Sequence, residues 1–287
     1  MPVAHAHGSL AAVASALAVL VGANGMVQGA EAPHRVASLN LCTDELVLRL
    51  APPGRIASVT WLSQSRDANL AELANKVKAN HGLAEEIIPL DPDLVVAGAF
   101  TTRTAVALLK QVGQRVVEFG VANDIGEVRE QIAQMADLVG EKARGDEVIS
   151  QLDRRLGAET AKVGIRPLRA LVLNANGFTV GTHSLVNDIL VHAGLENVAG
   201  SLNLGNYQQV PLEVVVDQAV DMLIVSTAGG GPPSLATEIL NHPVLSQLPP
   251  STHVVLLPTR LWTCAGPQVV DAVAQLRAAA DVIRAGR

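Results

Sequence analysis

Short runs of aliphatic residues, each followed by a loop and then by a segment with helical spacing, recur along this chain in two groups, and a long stretch without strand signal separates them. A run of about five apolar residues bounded by turn residues suits a strand covered on both faces, as in a parallel sheet flanked by helices. In the first group, residues 35–41 read as a strand. Residues 43–50 follow as a helix with Leu46, Val47 and Leu50 on one face, stopped by Pro52, Pro53 and Gly54. Residues 56–61, 92–97 and 116–119 supply further strands. Residues 104–111 form a helix, and residues 69–88 are helical apart from a turn at Asn80, His81 and Gly82. Past Pro167 the alternation resumes, with strands at 168–173, around Val180, at 221–226 and at 254–257. Helices are predicted over 184–193, 212–218, 235–245 and 267–283. Between the groups, residues 125–162 carry charged and apolar residues at helical spacing with only Gly140 and Gly145 as breakers, and read as one long helix.

The predicted fold is therefore α/β, two Rossmann-like lobes (33–124 and 163–287) bridged by a long single helix (125–162). The halves echo each other. Asp93, Leu94, Val95, Val96, Ala97 and Gly98 are answered by Asp221, Met222, Leu223, Ile224 and Val225. In open α/β sheets ligands sit beyond the carboxyl ends of the strands, so two such units face to face enclose a cleft. The loops after Leu39, Trp61, Gly98, Asn174, Ser226 and Pro258 line it.

Residues 1–30 hold no Asp, Glu, Lys or Arg, and from Leu10 to Val21 they are almost wholly Ala, Val and Leu, the pattern of an export signal. No Lys or Arg precedes that run, and a small-residue cleavage site fits anywhere from Gly25 to Ala32. A spanning helix needs about 20 apolar residues, and Gly22, Asn24 and Gly25 break this run too soon. The mature chain is expected to be exported to the periplasm, soluble and monomeric. With 17% charged residues, a net charge of −6 and no basic run, nucleic acid is not an expected partner. Cys42 and Cys264 are the only thiols, which excludes a multi-cysteine zinc site and leaves either one disulfide or two buried thiols.

Enzyme signatures are missing: no nucleophile elbow, phosphate loop or dinucleotide fingerprint occurs, and Gly229 to Gly231 run into Pro232 and Pro233 as turn material. No catalytic residue, resident metal or intrinsic cofactor is assigned. The histidines show no ligand spacing, and only His81 and His183 lie near the cleft loops. Aromatics are scarce, three Phe, two Trp and one Tyr, yet Trp61, Phe100, Tyr207 and Trp262 all fall at strand ends or in polar loops. Such faces hold a flat, polarisable ligand, and Arg66, Arg103 and Arg260 in the same loops suit its carboxylates. The plainer alternative is that these aromatics plug the interface between lobes.

The segments RVASLNLCTDELVLRL, GLAEEIIPLDPDLVVAG, GTHSLVNDILVHAGLENVA and VPLEVVVDQAVDMLIV, with the helical link between them, give the chain from Arg35 to about Arg284 its character. It resembles class III periplasmic substrate-binding proteins of ABC importers, the group serving vitamin B12, iron-siderophores and heme. The resemblance implies a ligand site at Ser38, Leu39 and Asn40, at Trp61, at Phe100, Thr101 and Arg103, at Tyr207 and Gln208, and at Arg260 and Trp262. It also implies that Glu72 and Glu213 dock onto the two permease subunits, a two-point electrostatic latch. Cys42 and Cys264 then fall in loops of opposite lobes, as a disulfide clamp or a soft-metal contact. The function implied is capture of a metal chelate, cobalamin or iron-siderophore or heme. A direct divalent-metal binder of similar fold and a tetrapyrrole-processing enzyme are the alternatives.

Overall fold

The computed structural model describes residues 31–160, 164–202, 207–218, 220–227 and 242–286, together with positions 1, 3 and 238. The expected export signal, the run from Gly229 to Pro233 and most of the helix expected over 235–245 lie outside the described residues.

Two parallel sheets carry the fold. The first comprises β1 (Val36–Ser38), β2 (Ile56–Thr60), β3 (Ala79–Asn80), β4 (Leu94–Gly98) and β5 (Val116–Phe119), in the order β3-β2-β1-β4-β5. The second comprises β6 (Leu168–Leu173), β8 (Leu195–Asn197), β10 (Met222–Thr227) and β11 (His253–Pro258), in the order β11-β10-β6-β8. β7 (Phe178–Val180) and β9 (Tyr207–Gln209) pair apart from it as an antiparallel ribbon. Central strands are covered on both faces, as their unbroken apolar runs require. Leu94 and Val96 pack into one cluster while Val95 and Ala97 pack into another, all with no exposed surface.

Position for position, the sheets repeat: β2, β1, β4, β5 of the first match β8, β6, β10, β11 of the second. The two aspartates of the sequence echo do the same job. Asp93 accepts the backbone N–H groups of His34 (2.6 Å) and Arg35 (2.9 Å) at the start of β1, and Asp221 accepts that of Arg169 (2.7 Å) at the start of β6.

Helices α1 (Leu41–Leu50), α2 (Ala71–Ala74), α3 (Ala84–Ile87) and α4 (Arg103–Gln111) belong to the first half. Over 69–88, expected as helix interrupted by a turn at Asn80, His81 and Gly82, the chain forms two one-turn helices on either side of β3, whose Ala79–Asn80 is too short to register as an apolar run. The connector also differs from expectation. Residues 125–162 hold two helices, α5 (Ile125–Val139) and α6 (Lys142–Glu159), not one. Gly140 takes φ 74°, and the N–H of Glu141 returns to the Ala136 carbonyl at 2.8 Å, closing the first helix as glycine does at a helix end. Gly145 then lets the pair touch, because a Cβ there would collide with that of Ala136. Arg129 Nε donates to Asp153 Oδ1 across the two helices at 2.6 Å.

The second half adds α7 (Leu185–His192), α8 (Leu212–Asp217) and α9 (Val269–Ala285). One apolar core spans both halves, from Val36 and Leu94 through Ile132 and Met135 to Ile224 and Leu276. Residues 32–287 accordingly form a single compact unit. Among the described residues no helix is long and apolar enough to cross a membrane.

Candidate ligand-binding site

At the end of β1 the chain enters α1 at once. Asn40 caps the helix, its Oδ1 accepting the N–H of Cys42 at 2.9 Å. The Asn40 amide lies where a Cβ on Gly98 would sit, so the ends of β1 and β4 are pressed together and only glycine fits there. Thr101 Oγ1 accepts the Gly98 N–H at 2.9 Å and reaches the Leu39 carbonyl. Ser38 has no exposed surface and its hydroxyl pairs with that of Thr43 at 2.8 Å, while Leu39, 4% exposed, packs under α3 and α4. Ser38 and Leu39 therefore brace the cleft edge from inside and present no face to a ligand. A strand-end position says where the backbone stops, not which way a side chain turns.

Above this base stand side chains that a monomeric chain would bury unless they had work at the surface. Trp61 is 51% exposed, Phe100 87% and Tyr207 65%. Trp61 follows β2 and leans on the ring of His81, which follows the neighbouring β3 (centroids 6.3 Å apart, planes at 31°). His81 is itself held by Glu86: its backbone N–H donates to Oε2 at 2.6 Å and its Nδ1 lies 2.9 Å from Oε1. Those hydrogen bonds from His81 hold the Glu86 carboxyl below the usual range. In the second half, Tyr207 leans on Phe178 across the ribbon (5.5 Å, 34°), beside exposed Gln208. Arg66 and Arg103 are exposed near the first aromatic group.

Trp262 and Arg260 behave otherwise than expected. Trp262 is 5% exposed and belongs to the shared core. After the turn Thr259–Leu261 its backbone takes φ −135° and ψ 0°, and the indole joins Phe119 in the shared core. Arg260 is exposed, but its Nη1 donates to Asn69 Oδ1 at 3.0 Å and its carbonyl accepts from Asn69 Nδ2 at 2.8 Å. It ties the halves together.

That tie is part of a seam of which the sequence pointed only to the Cys42–Cys264 pair. Cys42, on the first turn of α1, is joined by a disulfide to Cys264, with Cα atoms 4.9 Å apart. One turn further along α1, Glu45 accepts Asn69 Nδ2 at Oε1 and Gln268 Nε2 at Oε2, both at 2.8 Å. Gln268 also donates to the Cys264 carbonyl at 3.1 Å. Glu45 is 3% exposed, and burial pushes its carboxyl up to about 7 despite those donors. Its neighbour Asp44, with no exposed surface, is pushed up to about 6 by burial, against hydrogen bonds that include the N–H and hydroxyl of Thr60. The available signal was the spacing of Cys42, Glu45 and Arg49, a polar stripe beside the apolar face of Leu46, Val47 and Leu50.

His81 and His183 stand apart from any cluster: no group of three or more His, Cys, Asp or Glu able to hold a metal ion occurs among the described residues.

Two facing parallel α/β lobes on a common core, with aromatic rings offered to solvent at strand ends of both, define a two-lobed ligand-binding protein. The chain belongs to the periplasmic binding protein family, whose model matches residues 36–260. Over 205 residues it is 26% identical to a protein of Halobacterium salinarum named as a cobalamin-binding protein, an alignment covering 68% of this chain and 54% of the other. It thus spans about half the length of the curated relative it matches. Its fold matches the periplasmic heme-binding protein RhuT from Roseiflexus sp. RS-1 in apo form (TM-score 0.73, 19% identity, 87% of this chain and 98% of the other). It also matches the periplasmic vitamin B12 binding protein BtuF of Vibrio cholerae (TM-score 0.69, 18% identity, 88% and 98%).

Proposed function

We propose that this protein is the periplasmic substrate-binding component of an ABC importer, and that its cargo is a metal chelate: a corrinoid, a heme or an iron-siderophore. The observation that carries this is the exposure of Trp61 and Phe100, just past the carboxyl ends of β2 and β4, and of Tyr207 on the β7–β9 ribbon of the other lobe. Flat rings exposed on both sides of a cleft suit a large, flat, polarisable cargo better than a sugar or amino acid, which needs dense hydrogen-bond donors. Asn40, Thr101 and Gln208 supply a few polar contacts, and Arg66 and Arg103 match carboxylates or an anionic chelate. The names of the relatives, cobalamin-, heme- and vitamin B12-binding, fall in the same chemical class. No covalent step is part of this function.

Delivery to a permease requires a surface on each lobe. Glu213 is exposed on the first turn of α8, eight residues before Asp221. Glu72 is exposed on α2, but the internal repeat favours another residue, exposed Glu85 on α3, which stands eight residues before Asp93. We assign Glu85 and Glu213 as the docking pair.

The direct test is calorimetric titration of the purified protein with cyanocobalamin, hemin and a ferric hydroxamate. Saturable one-to-one binding of at least one is expected, weakened at least tenfold in the Phe100→Ala/Tyr207→Ala double variant. Failure to bind all three overturns the assignment of cargo class.

A further inference from the structure

We propose that the Cys42–Cys264 disulfide is a thiol–disulfide exchange site that latches the two lobes together at the ligand-facing edge, so that reduction by a dithiol loosens the cleft and speeds release of cargo. The effect on cargo rests on the function proposed above; the effect on the seam does not.

The bond links positions 222 apart in sequence. One end follows β1 in the first lobe and the other follows β11 in the second, so it straddles the edge where both sheets present their carboxyl ends. The core that the lobes share runs along α5 and α9 and also takes in Leu261, Trp262 and Ala265 beside Cys264. Cutting the bond therefore leaves the lobes joined through that core and removes their covalent tie at the ligand-facing edge, the geometry of a hinge. Besides the packing of Leu261, Trp262 and Ala265, a set of hydrogen bonds remains at the front, from Asn69 and Gln268 to Glu45 and between Asn69 and Arg260. Individually weak, they are a poor substitute for a covalent bond.

The two sulfurs differ in access. Cys42 is partly exposed and Cys264 is 1% exposed, against the core. A reductant thiolate thus attacks Cys42 Sγ, forming a mixed disulfide there as the Sγ–Sγ bond breaks, and Cys264 leaves as a thiolate that takes up a proton. The second thiol of the reductant then attacks the mixed disulfide and frees Cys42 as a thiol. Two electrons and two protons pass to the protein, and the reductant departs as its own disulfide.

Hydrogen exchange on the full chain, oxidised and after dithiothreitol, tests the latch. Amides of the first turn of α1 and of residues 259–268 are expected to exchange at least tenfold faster when reduced, with β4 and β10 unchanged. The Cys42→Ser/Cys264→Ser variant should match the reduced protein. In single variants, Cys42 left alone is expected to react with 5,5′-dithiobis(2-nitrobenzoate) at least tenfold faster than Cys264 left alone. Dissociation of whichever of hemin or cyanocobalamin binds should quicken at least threefold on reduction. Unchanged exchange at the seam, equal thiol reactivity, or an open seam with unchanged release each overturns the proposal. If neither probe binds the oxidised protein, exchange and thiol reactivity alone decide the latch.

Discussion

The two lobes have the same strand order but treat the end of their first strand differently. In the first, β1 passes through Leu39 and Asn40 straight into α1, and the Asn40 amide seals the strand ends over Gly98. In the second, β6 meets Asn174 and a turn in which Asn176 takes φ 58°, then runs out into the β7–β9 ribbon before α7 begins. One lobe offers a rigid floor with aromatics on its rim, and the other a projecting ribbon that carries Tyr207. The core follows the repeat, whereas Tyr207, proposed to face the cargo, arises where the repeat breaks, because only there is a loop free to differ without disturbing a sheet.

The sharpest way to test how far the lobes are equivalent is at their outer surfaces. Reversing charge at Glu85 and Glu213 together is expected to abolish uptake in cells that depend on this protein while cargo affinity, measured by titration, stays unchanged. Both carboxylates are exposed, so folding should not suffer. Glu72→Lys is expected to transport normally. If Glu72→Lys fails and Glu85→Lys does not, the repeat does not extend to docking.

A second contrast is between the two tryptophans. Trp262→Ala removes an indole from the shared core and is expected to cost about 3–5 kcal/mol in urea unfolding. Trp61→Ala, at a half-exposed position, is expected to stay within about 0.5 kcal/mol of the parent. A small loss at Trp262 would show that the core there is loose.

The seam makes stability depend on pH. Asp44 and Glu45 have carboxyls raised to about 6 and about 7 in the folded chain, from ordinary values of 3.8 and 4.5. Folding therefore favours their neutral forms. Their contribution is complete below about pH 4 and is lost as pH rises, through about 6 for Asp44 and about 7 for Glu45. For Glu45 the loss is on the order of 3 kcal/mol. Unfolding free energy should fall from pH 5 to pH 8, and Glu45→Gln should remove roughly half of that slope. An unchanged slope in the variant would mean that Glu45 ionises freely in place.

Which parts of this were legible in sequence follows from what each signal encodes. The longer strands of both sheets were readable because a strand covered on both faces must be apolar where it is covered, as 94–97 and 170–173 are. The connector was misread because Gly140 at a helix end and Gly145 at a helix contact look alike as letters, and only φ and packing separate a turn from a tolerated glycine. β8 and β9, three residues each, were too short to carry a period. At the site, Trp61, Phe100 and Tyr207 were placed where rings are exposed, but Trp262, Ser38 and Leu39 turned inward. Glu45, Asn69 and Gln268 were overlooked because they are distant in sequence and meet only when the lobes do.

The smallest effect concerns the ribbon itself. Phe178 is partly buried, pairs opposite Gln209, and lends its ring to Tyr207 at 5.5 Å. If the ribbon's task is to aim Tyr207 at the cargo, Phe178 acts through orientation rather than contact. Phe178→Ala should then weaken cargo binding by about 0.5–1.5 kcal/mol, the scale of one aromatic pair. Tyr207→Ala should cost more, about 1–3 kcal/mol, since it loses a ring that contacts the cargo. A double variant no weaker than Tyr207→Ala alone is the expected outcome, because a support has nothing left to aim once the ring is gone. Additive losses would place Phe178 in contact with the cargo and make the second lobe's binding surface a pair of rings rather than one.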